Sequence, residues 1–259
     1  MYKAPKDRKF FAIMNAWLAR GLGHGNWPPP KNFDCYWVSS HFESGLKKPK
    51  YESYYKSQGK FYTRDENTAE YLRSIGVDAE FSGCLTLTLK NIWRFQGRRN
   101  NVYSVLDKID VKKTCRSNSI ITTEQRNVHA LQHDIIAKMD LAYSNLKKYA
   151  TAKAIVTSLI HVALPCRGLQ TPVMWTFPTE ERIRHDNRFK FLISRHFVPF
   201  TAGNFTSSHC SFLQTPSKLM DHHPKSVGNT VDHIYSILKK NFIISEAGEL
   251  YGAFINEHL

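Results

Sequence analysis

Three short stretches of this 259-residue chain carry side chains whose types and spacing could act on an anion. The first runs Ala152-Lys-Ala-Ile-Val-Thr157-Ser158-Leu159-Ile-His161-Val-Ala-Leu-Pro-Cys-Arg-Gly168 and reads as a strand entering a short helix, with polar residues at the crossing. In open α/β sheets ligands bind beyond the carboxyl ends of strands, where a helix N-terminus offers free N–H groups to anions. Thr157, Ser158 and His161 occupy that place. The spacing alone favours a plainer account, in which Thr157 and Ser158 cap the helix and His161 is a hydrogen-bonded core residue. The second stretch, Arg64-Asp65, ends a strand and opens a helix. Asp65 suits an N-cap. The planar fork of Arg64 matches a carboxylate or phosphate, and a surface ion pair explains it equally well. In the third, His41 follows Val38-Ser39-Ser40 at another strand end.

Other chemistry-bearing residues lack a supporting pattern. His185, His196, His209 and the pair in Asp221-His222-His223 belong to no H-x-x-x-H or E-x-x-H helix pattern, so no metal is expected. Gly21-Leu-Gly-His-Gly25 has neither the G-x-G-x-x-G order nor a P-loop lysine, and no nucleotide cofactor is expected. Five cysteines stand at 35, 84, 115, 166 and 210 without a close pair. That set argues against a disulfide framework or a cysteine zinc site, and a reducing compartment is the simplest expectation.

The elements that must position these residues alternate. Strand-like runs cover Lys9-Trp17, Phe33-Phe42, Lys60-Thr63, Asp78-Leu89, Asn101-Ile109, Ser119-Thr123, Ala152-Ser158 and Thr171-Phe177. Between them, 65–75 reads as a helix ended by Gly76. Residues 125–149 place Val128, Leu131, Ile135, Met139, Ala142 and Leu146 on one helical face. Such alternation predicts a parallel α/β sheet. Lys90 to Arg116 holds eight basic residues against two acidic ones, and the joint between two halves, 1–95 and 96–259, is expected near 92–101. Thr201 to Thr230 reads as loops, and Val231 to Leu259 as helix, with Ile234, Ile237 and Leu238 at helical spacing.

Composition sets outer bounds. With 42% hydrophobic and 22% charged residues the chain is globular rather than disordered. The longest apolar run, Ala154 to Leu164, is interrupted by polar residues and falls short of the ~20 a membrane span needs. The charged start, Met1 to Lys9, has no following apolar core, so no signal peptide and a cytoplasmic location are expected. A net charge of +14 favours anionic partners, including peripheral contact with an anionic membrane surface. The basic residues are dispersed, and a nucleic-acid role ranks last among the readings weighed here.

Taken in order, several stretches resemble the polysaccharide pyruvyl transferase family. These are Met14-Asn15-Ala16-Trp17 followed by Asn26-Trp27-Pro28-Pro29; Val38-Ser39-Ser40-His41-Phe42; Arg64-Asp65 with Thr68; Phe81-Ser82-Gly83-Cys84-Leu85-Thr86-Leu87-Thr88-Leu89; and Ala152 to Val173. The resemblance spans residues 10–200 and implies two Rossmann-like halves in a GT-B-like arrangement, with one half trimmed because the chain is shorter than typical members. It implies transfer of pyruvate from phosphoenolpyruvate to two hydroxyls of a sugar or glycan-lipid acceptor, forming a cyclic ketal. Carried across residue by residue, it makes Arg64 and His161 the catalytic pair. Asn15, His41, Thr157, Ser158 and Arg188 become substrate-binding.

The chain departs from the family pattern at two places. Leu159 stands where members carry a donor-binding arginine, and Tyr62-Thr63 precedes Arg64 where members have Gly-Cys. A charge-assisted phosphate contact contributes ~1.5–3 kcal/mol, so its loss weakens donor binding by about one to two powers of ten. Arg167, Arg182 and Arg188 are the nearby basic residues that could stand in, Arg188 first. Two further readings follow from the same residues: a GT-B glycosyltransferase using a nucleotide sugar, and a non-catalytic relative that has lost the donor site.

Overall fold

A computed structural model describes residues 8–15, 17–18, 27–89, 101–105, 107–123, 134–184, 196–222 and 227–241. The chain separates into two units, Met1–Leu85 and Thr86–Leu259. Most of the expected joint at 92–101 lies outside the described residues.

In the first unit, β-branched and aromatic residues form short strands that pair in parallel. Strand β1 (Phe10–Met14) pairs with β3 (Phe33–Trp37), β2 (Trp17–Leu18) with β4 (His41–Phe42), and β5 (Phe61–Thr63) with β6 (Ala79–Phe81). A single parallel bridge, Ser40 to Thr63, joins the middle of the set. The run expected over 33–42 is broken because Ser39 takes a left-handed conformation with φ of 54°. Helix α1 (Glu52–Ser57) leads into β5, and α2 (Glu66–Ser74) connects β5 to β6. Gly76, with φ of 83°, ends α2 as its position predicted, since L side chains rarely adopt that conformation. The core is aromatic: Trp37 stacks on Phe61 at 4.8 Å, and Phe42 and Tyr55 meet at 5.1 Å. Each such ring buries ~150–250 Å², which lets a small unit exclude water from its strand ends.

The second unit contains a five-stranded parallel sheet in the order β11-β10-β9-β7-β8. Its strands are β7 (Asn101–Val105), β8 (Ile120–Thr123), β9 (Ala152–Thr157), β10 (Val173–Phe177) and β11 (Phe200–Thr201). All five residues of β10 are buried, the continuous apolar pattern of a strand covered on both faces. Numbered within the unit, the order is 2-1-3-4-5, a doubly wound, Rossmann-like arrangement. The described helices here are α3 (Val111–Thr114), α4 (Ile135–Thr151), α5 (Ile160–Gly168), α6 (Glu180–Arg184), α7 (Ser211–Gln214), α8 (Pro216–His222) and α9 (Val227–Asn241). Gly168 lets α5 approach the backbone closely: a Cβ there would lie 2.2 Å from the Thr86 carbonyl oxygen.

Four local expectations are corrected. Of the run Asp78-Leu89, only Ala79–Phe81 is strand, and Leu85–Thr88 forms a 3-10 turn. Thr201 to Thr230 is largely helical, holding a 3-10 turn at Ser207–Cys210, then α7, α8 and the start of α9. In α4 the predicted apolar face is buried only toward its carboxyl end, where Tyr149 and Ala150 continue the stripe. Met139 is 62% exposed and Ala142 is exposed, while Tyr149 and Ala150 are buried. Cys115 and Cys210 form a disulfide across 95 residues, against the reading of five unpaired thiols. Sequence spacing could not bring them together; the fold does, by laying the Ser207–Cys210 turn against the segment after α3. Among the described residues no helix is long and apolar enough to cross a membrane.

Candidate functional site

In each unit the parallel strands point their carboxyl ends one way, and the candidate residues gather there. In the first unit Ser40 lies level with Thr63 through their bridge, and the Arg64 N–H donates to the Ser40 carbonyl at 3.1 Å. Asp65 caps α2 as its position predicted: its Oδ1 accepts from the Thr68 N–H at 2.9 Å. Its other oxygen does more. Oδ2 sits 2.6 Å from His41 Nδ1 and 3.0 Å from the Thr68 hydroxyl, which in turn accepts from the Phe42 N–H. His41 and Asp65 are 6% and 2% exposed.

Burial raises the Asp65 pKa, but the His41 hydrogen bond and charge, with the two Thr68 donors, outweigh it and hold the carboxyl below its ordinary value. An ionised carboxylate only accepts, so His41 Nδ1 carries a proton toward it, and in the neutral ring the lone pair lies on Nε2. Nε2 bonds no described residue. In the residues just before His41, the Ser39 and Ser40 hydroxyls are buried without a hydrogen-bond partner among the described residues. Lys47 stands near: its ammonium donates to the Asn67 carbonyl at 3.2 Å, and burial lowers its pKa against the pull of Asp65 and Glu70. Asn15 is exposed just beyond β1, at that strand's carboxyl end.

In the second unit Thr157 ends β9 and lies opposite Val105, the last residue of β7. In a 2-1-3-4-5 sheet the crevice between these two strands is the topological switch point, where ligands bind. Helix α5 starts there with Leu159 as its N-cap and no side-chain cap. The Thr157 hydroxyl instead accepts from the Leu159 N–H at 3.0 Å, before the helix begins. His161 is exposed and Ser158 half-buried. Core burial of His161, one half of the plainer account, therefore fails.

Of the basic residues considered as substitutes for the family arginine, Arg167 is 6% exposed in the last turn of α5, ~12 Å along the helix axis from Leu159. Burial pushes its pKa down to about 10, and it faces Met220 and Phe197 rather than the strand ends. Arg182 lies in α6, which follows the carboxyl end of β10, and is exposed. Arg188, the first choice from sequence, lies outside the described residues.

The remaining histidines have other company. His209 and His222 pack on Phe200 at 5.4 and 5.1 Å, and burial, then His209, lowers the His222 pKa. A cavity of about 190 Å³ lies at the opposite edge of this sheet, bounded by Val102, Ile120, Lys153, Leu213 and the Cys115–Cys210 bond. Its strand residues sit at or near amino ends, so topology places the candidate site at the other edge.

Sequence reasoning missed the His41–Asp65 pair and the two buried serine hydroxyls. Asp65 was legible as a cap from its place before a helix; its contact across 24 residues was not. The chain matches no family model, no curated protein and no solved structure.

Proposed function

We propose that this chain is a pyruvyl transferase that moves pyruvate from phosphoenolpyruvate onto two hydroxyls of a sugar or glycan-lipid as a ketal. The observation that carries the reading is the coincidence in the second unit of three features: the switch-point crevice, a helix N-terminus without a side-chain cap, and an exposed histidine two residues past it. The N–H groups at a helix start favour phosphate or carboxylate, and imidazole is the side chain suited to passing a proton near neutral pH. Arg64, at the strand ends of the first unit, supplies the bidentate cation for the donor carboxylate. The reading takes the GT-B-like arrangement of two Rossmann-like halves that the family resemblance implies.

His161 protonates C3 of the enol ester, C2 becomes electrophilic, a sugar hydroxyl attacks it, phosphate leaves, and a second hydroxyl closes the ketal. Thr157 and Ser158 line the donor end, Asn15 the acceptor end, and Arg182 or Arg188 provides the charge that Leu159 does not. Titration calorimetry with phosphoenolpyruvate tests this. Saturable binding that weakens about tenfold or more in Arg64→Ala supports the reading; absence of binding to the wild-type chain refutes it.

A second reading is favoured by Leu159 at the N-cap. A non-catalytic relative would have lost the donor contact there, and Leu159→Arg would then create phosphoenolpyruvate binding that the natural chain lacks.

A further inference from the structure

The strand ends of the first unit hold more polar organisation than a donor clamp needs. Asp65 spends one oxygen on the α2 cap and the other on His41 and the Thr68 hydroxyl, so its carboxylate cannot turn without losing three bonds. The imidazole is thereby oriented with Nδ1 toward Asp65, and in the neutral ring Nε2, which bonds no described residue, is the proton acceptor. A purely structural tie could be made more simply. It would not account for the adjacent Ser39 and Ser40 hydroxyls, buried without partners at about 1–3 kcal/mol each, or for Ser39 lying in the left-handed region. Glycine at 39 and alanine at 40 would fold here with less strain. Hydroxyls both donate and accept, and a neutral imidazole accepts; that set suits a polyol better than a fixed anion.

We infer that His41 is a second proton-transfer residue, the general base for a hydroxyl of the acceptor, with Asp65 as its positioning residue and Ser39 and Ser40 as acceptor contacts. This rests on the pyruvyl-transfer reading for the identity of the acceptor. In the step, His41 Nε2 takes the proton of the first sugar hydroxyl as its oxygen bonds to C2 of phosphoenolpyruvate. The C2–C3 π pair takes a proton from His161, making a methyl group. The C2–phosphate bond then breaks, its pair leaving with phosphate. The second hydroxyl bonds to C2 and releases its proton to that phosphate. The net change is one ketal and one inorganic phosphate, and the first hydroxyl's proton on His41 restores the acid for the next turnover through solvent.

The test measures phosphate release from phosphoenolpyruvate with a panel of methyl hexosides as acceptors. His41→Gln should lower kcat by ~10²–10⁴-fold and Asp65→Asn by ~10–100-fold, with phosphoenolpyruvate affinity within about twofold of wild type. Asparagine keeps the helix cap, so a loss of kcat in Asp65→Asn separates positioning from folding. Ser40→Ala should raise the acceptor KM while leaving Tm unchanged or higher. A wild-type kcat in His41→Gln, or a lower Tm with unchanged acceptor KM in Ser40→Ala, overturns the inference. If the natural chain releases no phosphate with any hexoside, the pyruvyl-transfer reading fails, and diethyl pyrocarbonate decides the rest. Carbethoxylation of His41 in the folded chain, mapped by mass spectrometry, supports an open base. An unmodified His41 overturns it.

Discussion

In the first unit His41 is 6% exposed and held at 2.6 Å by a carboxylate that also caps a helix, whereas in the second His161 stands exposed on the first turn of a helix without a side-chain cap. The same residue type occurs in two physical states, at the start of β4 beside the Asp65 that follows β5, and in the helix that follows β9. One is built into the packing of its unit, so its chemistry and its stability are coupled. The other is exposed on its helix, so its substitution removes little buried surface. The difference teaches where a substitution reports on function alone.

Removing the carboxylate gives the largest effect. Asp65→Ala loses the cap, ~1 kcal/mol, and leaves His41 and Thr68 without an acceptor, ~1–3 kcal/mol, so urea unfolding should register a loss of about 3 kcal/mol. A change below ~0.5 kcal/mol would mean that the two histidines are equally peripheral and the comparison fails.

Acid sharpens it next. The folded Asp65 carboxyl lies below its ordinary value, so the stability it adds is fully present above ~4 and is lost as pH falls through the folded value. Asp65→Asn should flatten that acid limb of a stability-versus-pH curve, and His161→Ala should leave it in place.

At the open site the expected effects fall on ligand affinity. Leu159→Arg, placing a cation beside the start of α5, should tighten phosphoenolpyruvate binding about tenfold, ~1.4 kcal/mol, by calorimetry. An unchanged or weaker affinity would detach this helix start from donor binding. The smallest effect concerns folding: His161→Ala should shift unfolding by no more than ~0.5 kcal/mol, as for other exposed positions. A larger loss would mean that His161 is as deeply built in as His41.

Much of the scaffold was legible because it is written in local patterns. The apolar run of 152–157, the cap at Asp65 and the stop at Gly76 each depend on neighbours a few residues away, and each stands where spacing put it. The doubly wound order of the second sheet was foreseen only as parallel α/β, because strand order is a matter of crossovers rather than of periodicity. The site was legible by place and not by state. Thr157, Ser158 and His161 read as cap and core from pattern, yet Leu159 takes the N-cap position and His161 is exposed. The α4 face differs in extent for a related reason: helical period tells which residues share a side, and tertiary packing decides how far along the helix that side is covered. Asp65 meeting His41, and Cys115 meeting Cys210, join residues 24 and 95 apart, distances over which spacing carries no information.

The bond between Cys115 and Cys210 closes the chain into a covalent ring that contains β8, β9, β10 and β11 and leaves β7 outside. Four of the five strands are thus threaded on one closed circuit, with β7 inserted between two members of it, β9 and β8. A single protease cut anywhere from 116 to 209 leaves the fragments joined, and only reduction lets them part on a gel. The ring lets the nicked chain, heavier only by the water of hydrolysis, run with the intact one until a thiol is added, so a chain cleaved at the β9–α5 crossing stays covalently in one piece.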